Sequence, residues 1–62
     1  MPVDAKSVRR MATKIERIKK YASELRSEAE EFEAVKRNAD RILASVRMLE
    51  ISVVDVADML RE

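Results

Sequence analysis

The spacing of the apolar residues constrains this chain more than any other feature. Val8, Met11, Ile15, Ile18, Ala22 and Leu25 follow one another at steps of 3, 4, 3, 4 and 3. Phe32, Val35, Ala39, Ile42, Val46, Leu49, Val53, Val56 and Leu60 resume the same alternation. Such steps collect side chains on one stripe of an α-helix and match the a/d seam of helices packed lengthwise. Through Leu25, Ala29, Phe32 and Val35 the steps run 4, 3 and 3, so the rhythm slips once near the middle. A single slip marks either a chain that turns back or a long helix with a local flaw.

Glycine is absent and proline occurs only at Pro2, which leaves little means of making the tight turns that join strands. The fold class expected is therefore all-α. The 62 residues make one small domain, expected as a helix over about 5–27 and a second over about 33–61. Ordering such a chain costs about 1.5 kcal/mol per residue, which two helices touching along one seam barely offset. Small domains meet that shortfall with disulfides, a metal or another chain. Cysteine and histidine are both absent, so disulfides and the commonest zinc and haem ligands are excluded. No cofactor is expected, and self-association is the remedy left.

Lys and Arg number 13 against 12 Asp and Glu, and a net charge of +1 points to neither a nucleic-acid nor a membrane partner. No apolar stretch of signal type follows Met1, and nowhere do 18 apolar residues run together. A cytoplasmic protein without a membrane partner is the expectation.

Asp4 is placed to cap the first helix, with Val3 and Val8 at the two positions of a hydrophobic staple. The turn has two candidate sites. Ser27 and Glu30 fit a capping box that would restart a helix where the seam slips. Lys36-Arg37-Asn38 offers cations for a last turn and an asparagine for the left-handed position, with Asp40 capping the next helix. The first site agrees with the slip and gives arms of similar length, so the turn is expected within 27–33. One continuous helix is the alternative that a chain without glycine leaves open. Further on, Ser52 with Asp55 fits another capping box, which would mark a kink or a short third helix over 52–61; a small residue inside a continuous helix is the preferred reading.

The two arms differ. In the first, apolar residues fill one stripe and charge covers the rest. In the second, Leu43, Ile51 and Val54 widen the apolar arc to roughly 200° at 100° per residue. One neighbouring helix cannot cover that arc. The candidate interface is therefore Leu43, Val46, Leu49, Ile51, Val53, Val54, Val56 and Leu60.

Catalysis finds little to work with, because histidine and cysteine supply the usual general base and two of the usual nucleophiles. No catalytic, cofactor-binding or metal-binding residue is identified. The carboxylates Glu24, Glu28, Glu30, Glu31 and Glu33 lack the histidines of helical-bundle metal centres and read as a solvated acidic turn. Lys6, Arg10, Lys14, Arg17 and Lys20 form a basic stripe opposite the seam. Phosphate contact with a nucleic acid is one use for it. Only Tyr21 and Phe32 are aromatic, so no stacking platform accompanies the stripe, and a solubilising helix face is the plainer account. Charge also alternates in blocks, basic over 6–20 and 36–47, acidic over 24–33 and 50–62. Folding back near residue 30 sets opposite blocks side by side, whereas a parallel in-register pair would align like blocks.

Phe32 and the run Arg47-Met48-Leu49-Glu50-Ile51-Ser52-Val53-Val54-Asp55-Val56-Ala57 resemble the long second helix of the HEPN family, HepT type. The resemblance covers about residues 14–60 and consists of apolar spacing with an arginine and acidic residues. It implies a dimeric helical bundle, a ribonuclease paired with a nucleotidyltransferase-like antitoxin. That family's catalytic Arg-x(4–6)-His motif has no counterpart in a chain without histidine, so the chain would be a truncated or degenerate member. Neither the activity nor any catalytic residue carries over.

These features lead to one expectation: a helical hairpin that dimerises into a four-helix bundle and serves as a non-enzymatic interaction module. A nucleic-acid-binding accessory protein using the basic stripe, and a HEPN-like toxin–antitoxin component, are the alternatives. A protein partner other than a second copy is also compatible with the wide apolar arc.

Overall fold

The computed structural model describes the backbone of residues 4–60 and the side chains of residues 4–59. Two helices, α1 (Ala5–Ala29) and α2 (Glu33–Leu60), fold back on one another as an antiparallel hairpin. No strand occurs among the described residues. The rod measures 48 × 17 × 15 Å. None of its helices is long and apolar enough to cross a membrane.

α1 starts where the sequence places its cap. Asp4 has an extended backbone (φ −129°, ψ 175°), and its Oδ1 accepts from the Ser7 backbone N–H at 2.8 Å. That bond satisfies one of the four amides that a helix start leaves without partners. The Val3–Val8 staple has its first member outside the described residues. α1 then runs unbroken through Ser27 to Ala29, two residues beyond the expected end, so the Ser27–Glu30 capping box does not form. Ser27 lies inside a helix that has not yet ended, and its serine has no free N-terminal amides to cap.

Glu30 makes the reversal. It ends α1 with φ 44° and ψ −97°, the one positive φ among the described residues. The Phe32 amide donates to the Ala29 carbonyl at 2.7 Å and the Glu33 amide to the Glu31 carbonyl at 3.0 Å, which closes the loop in three residues. A Cβ at positive φ with this ψ is strained, at a cost of order 1–3 kcal/mol. The expected turn range of 27–33 holds it, but the asparagine site does not. Lys36, Arg37 and Asn38 lie within α2, and Asp40 pairs with Arg26 instead of capping a helix.

α2 is continuous through Ser52, whose hydroxyl donates to the Met48 carbonyl at 2.9 Å, four residues back. Thr13 does the same toward Arg9 in α1, at 3.0 Å. These hydroxyls bond within their own helix, so Ser52 starts no third helix.

The core is a single row. Val8, Ile15, Ala22 and Ala29 on α1 face Ala39 and Val46 on α2, and these six are the buried hydrophobic side chains among the described residues. On α1 they recur every seven residues, as do Ala39, Val46 and the half-buried Val53 on α2. Ala29 and Ala39 lie at the turn end, Ala22 and Val46 nearer the middle, and Val8 and Ile15 toward the open end.

Two outcomes are expected. Glu30→Gly removes the Cβ from the strained turn and raises stability by about 1 kcal/mol, read as a higher midpoint in urea. The Ser7 N–H bond holds the Asp4 carboxyl below its ordinary range, so its contribution is complete above that range and disappears as pH falls through the depressed value. Asp4→Asn keeps the cap without the charge, and part of the acid loss of melting temperature should vanish in that variant.

Candidate interaction face

A helix pair divides each a/d stripe into two. Positions a and d point about 60° apart around the axis, since three residues turn the helix by about 300°. In α1 the a-type residues Val8, Ile15, Ala22 and Ala29 point at α2 and are buried. Met11, Ile18 and Leu25 are the d-type residues, and they lie to one side. In α2 the same split leaves Ile42 and Leu49 beside the seam. These five side chains remain 39–47 % exposed.

Antiparallel packing brings the two d rows to the same side of the hairpin. Ile18, Ile42, Val46 and Leu49 line one shallow groove there. Met11, Ile15, Leu49, Val53 and Val56 line a second, toward the open end. Ile18, Tyr21, Ala22, Leu25 and Ile42 line a third, toward the turn. The three share members and form one apolar strip along the rod. Its borders are polar: Lys14, Arg17, Asn38, Arg41, Ser45 and Ser52 edge the grooves.

The opposite side is held by charge. Lys19 Nζ reaches Glu50 Oε2 at 3.2 Å, and the Arg26 guanidinium bonds the Asp40 carboxylate, each pair crossing between the helices. The first joins the basic block at the start to the acidic block at the end, as the block pattern expects. The second runs against the blocks, each partner being the minority charge of its own stretch. All four side chains are well exposed, so each pair contributes at most about 1 kcal/mol. Lys36 Nζ lies 3.5 Å from Glu33 Oε1, one turn back on α2.

The eight candidate interface residues fall in different places. Val46 is almost fully buried in the intrachain seam. Leu49 and Val56 lie on the apolar strip, and Val53 touches both sides. Leu43 shares its groove with Lys19, Asp40 and Glu50. Val54 shares one with Ala12, Glu16 and Glu50, so both stand on the charged side. Ile51, next to Glu50, is 54 % exposed. The side chain of Leu60 lies outside the described residues. Reasoning from α2 alone missed the α1 members of the strip, Met11, Ile18, Tyr21 and Leu25. Met11, Ile18 and Leu25 carry a sequence signal as the alternate members of the first seam, whereas Tyr21 lies outside it.

Lys6, Arg10, Lys14, Arg17 and Lys20 are all exposed, and of these Lys14 and Arg17 edge the apolar strip. Lys20 Nζ lies 5.8 Å from the centroid of the Tyr21 ring, within cation–π range. Glu24, Glu28, Glu30, Glu31 and Glu33 are exposed around the turn. Among the described residues, no three acidic side chains gather closely enough to hold a metal ion.

The chain matches no protein-family model, no curated protein and no solved structure.

Proposed function

We propose that this chain is a helical self-association module. Two hairpins pack apolar strip to apolar strip as a dimeric four-helix bundle, and the assembled rod serves a structural or regulatory role through its surface. The observation that carries this reading is the strip itself: Met11, Ile18, Leu25, Ile42 and Leu49 keep seam spacing and yet stand 39–47 % exposed.

The surface area supports it. The hairpin exposes 5405 Å². A compact monomer of its 7.2 kDa mass exposes about 4,100 Å², so the hairpin carries about 1,300 Å² beyond that. Removing such an excess from each of two copies falls in the range of obligate homodimers, which bury about 2,000 Å² or more in total. Shape agrees with area. The radius of gyration is 14.3 Å, whereas a compact body of this length has about 10.6 Å and one of twice the length about 13.7 Å.

A second copy fits this strip because its members are self-matching: apolar, of seam type, and edged by serine, asparagine and cations that stay in water at a bundle's rim. Light scattering after size exclusion should give twice the 7.2 kDa chain mass. Leu49→Asp sets a carboxylate in the middle of the strip and should abolish both association and helicity. A Leu49→Asp chain with unchanged mass and circular dichroism would sink the assignment.

A further inference from the structure

This inference rests on the proposed self-association and fixes its geometry. Two hairpins stacked strip to strip can be related by a two-fold axis in two ways. An axis along the rod puts both turns at one end and sets α1 over the α2 of the second copy. An axis across the rod puts the turns at opposite ends and sets α1 over α1 and α2 over α2. All neighbouring helices are antiparallel in both, so helix direction does not choose between them. Charge along the rod does.

The two ends of the hairpin are unlike. Residues 24–40 carry six carboxylates, Glu24, Glu28, Glu30, Glu31, Glu33 and Asp40, against three cations, Arg26, Lys36 and Arg37. The open end, residues 4–14 with 53–60, carries four cations, Lys6, Arg9, Arg10 and Lys14, against three carboxylates, Asp4, Asp55 and Asp58. Turns at one end would bring two acidic clusters together in exposed positions, which is unfavourable. Turns at opposite ends lay each acidic turn beside the basic start of the other copy. Aligned about Ile18, Arg10 of one chain comes alongside Glu24 and Glu28 of the second copy.

The strip has the register such an axis needs. Met11, Ile18 and Leu25 stand at seven-residue steps on α1, and Ile42, Leu49 and Val56 on α2. Ile18 and Leu49 adjoin the Lys19–Glu50 pair that bridges the helices, which sets them at about one level on the rod. An axis through that level lays Ile18 on Ile18 and Leu49 on Leu49 of the second copy. The same operation lays Met11 on Leu25 and Ile42 on Val56.

We propose that the second copy docks with its turn at the opposite end, α1 against α1 across Ile18 and α2 against α2 across Leu49. The chain has no cysteine, so a single introduced thiol reports one contact. Under mild oxidation, Ile18→Cys should form a disulfide-linked dimer, because equivalent Cα atoms facing across the axis lie within the 4.4–6.8 Å that a disulfide spans. Leu49→Cys should do the same, and it keeps the test open if Ile18→Cys weakens folding. Phe32→Cys at the turn should stay unlinked, its copies being separated by most of the 48 Å rod.

Linking of Phe32→Cys at least as fast as of both Ile18→Cys and Leu49→Cys overturns the orientation. In the same-end arrangement α1 is diagonal to α1, about 13 Å away, and the thiols at position 18 cannot meet. The parent reading fails separately: a wild-type chain that light scattering finds monomeric removes the dimer itself, whatever the thiols do.

Discussion

A pair of helices can bury only the side chains that point along the line joining their axes. An a/d stripe is wider than that line, because its two rows stand about 60° apart. In this hairpin the a row of α1 and its counterpart on α2 fill the line, giving six buried side chains of which three are alanine. The d rows, with the larger residues Met11, Ile18, Leu25, Ile42 and Leu49, are left along one side. The rod shape, the surplus surface and the apolar strip all follow from that division. The larger side chains of the d rows thus stay part exposed, while half of the buried side chains are alanine.

Charge arranges what hydrophobic spacing leaves open. Exposed pairs such as Lys19–Glu50 add little energy singly. Their placement matters more, since they mark the side of the hairpin that stays in water and leave the other side free of cross-helix ion pairs among those described. The same blocks make the rod polar along its length, acidic at the turn and basic where α1 begins. The rod therefore has unlike ends and one apolar side.

Much of the fold is readable in the residues. Apolar periodicity without glycine or internal proline sets two helices, the slip after Leu25 sets the reversal, and Asp4 sets the start. The turn itself is less readable, because Glu30 takes a positive φ with no residue type to announce it. Capping-box spacing does not by itself make a cap. Ser27 and Ser52 have the right spacing, but a cap acts only where amides are free, and both serines lie in unbroken helix. The strip is half readable. The excess of apolar residues on α2 shows in its sequence, whereas which row of each seam a neighbour covers depends on the rotation of the helices about their axes. That rotation is a property of the packed pair, and it puts Leu43 and Val54 on the charged side and brings Met11, Ile18 and Leu25 into the strip.

The central claim is that the hairpin reaches its stable form by covering this strip with a second copy. Thermal unfolding followed by circular dichroism over a hundredfold range of chain concentration tests it most directly, since association makes the midpoint depend on concentration. The midpoint should climb steadily as the chain is concentrated, with helicity falling away on dilution. A midpoint that stays fixed over the whole range, at full helicity, would contradict the claim.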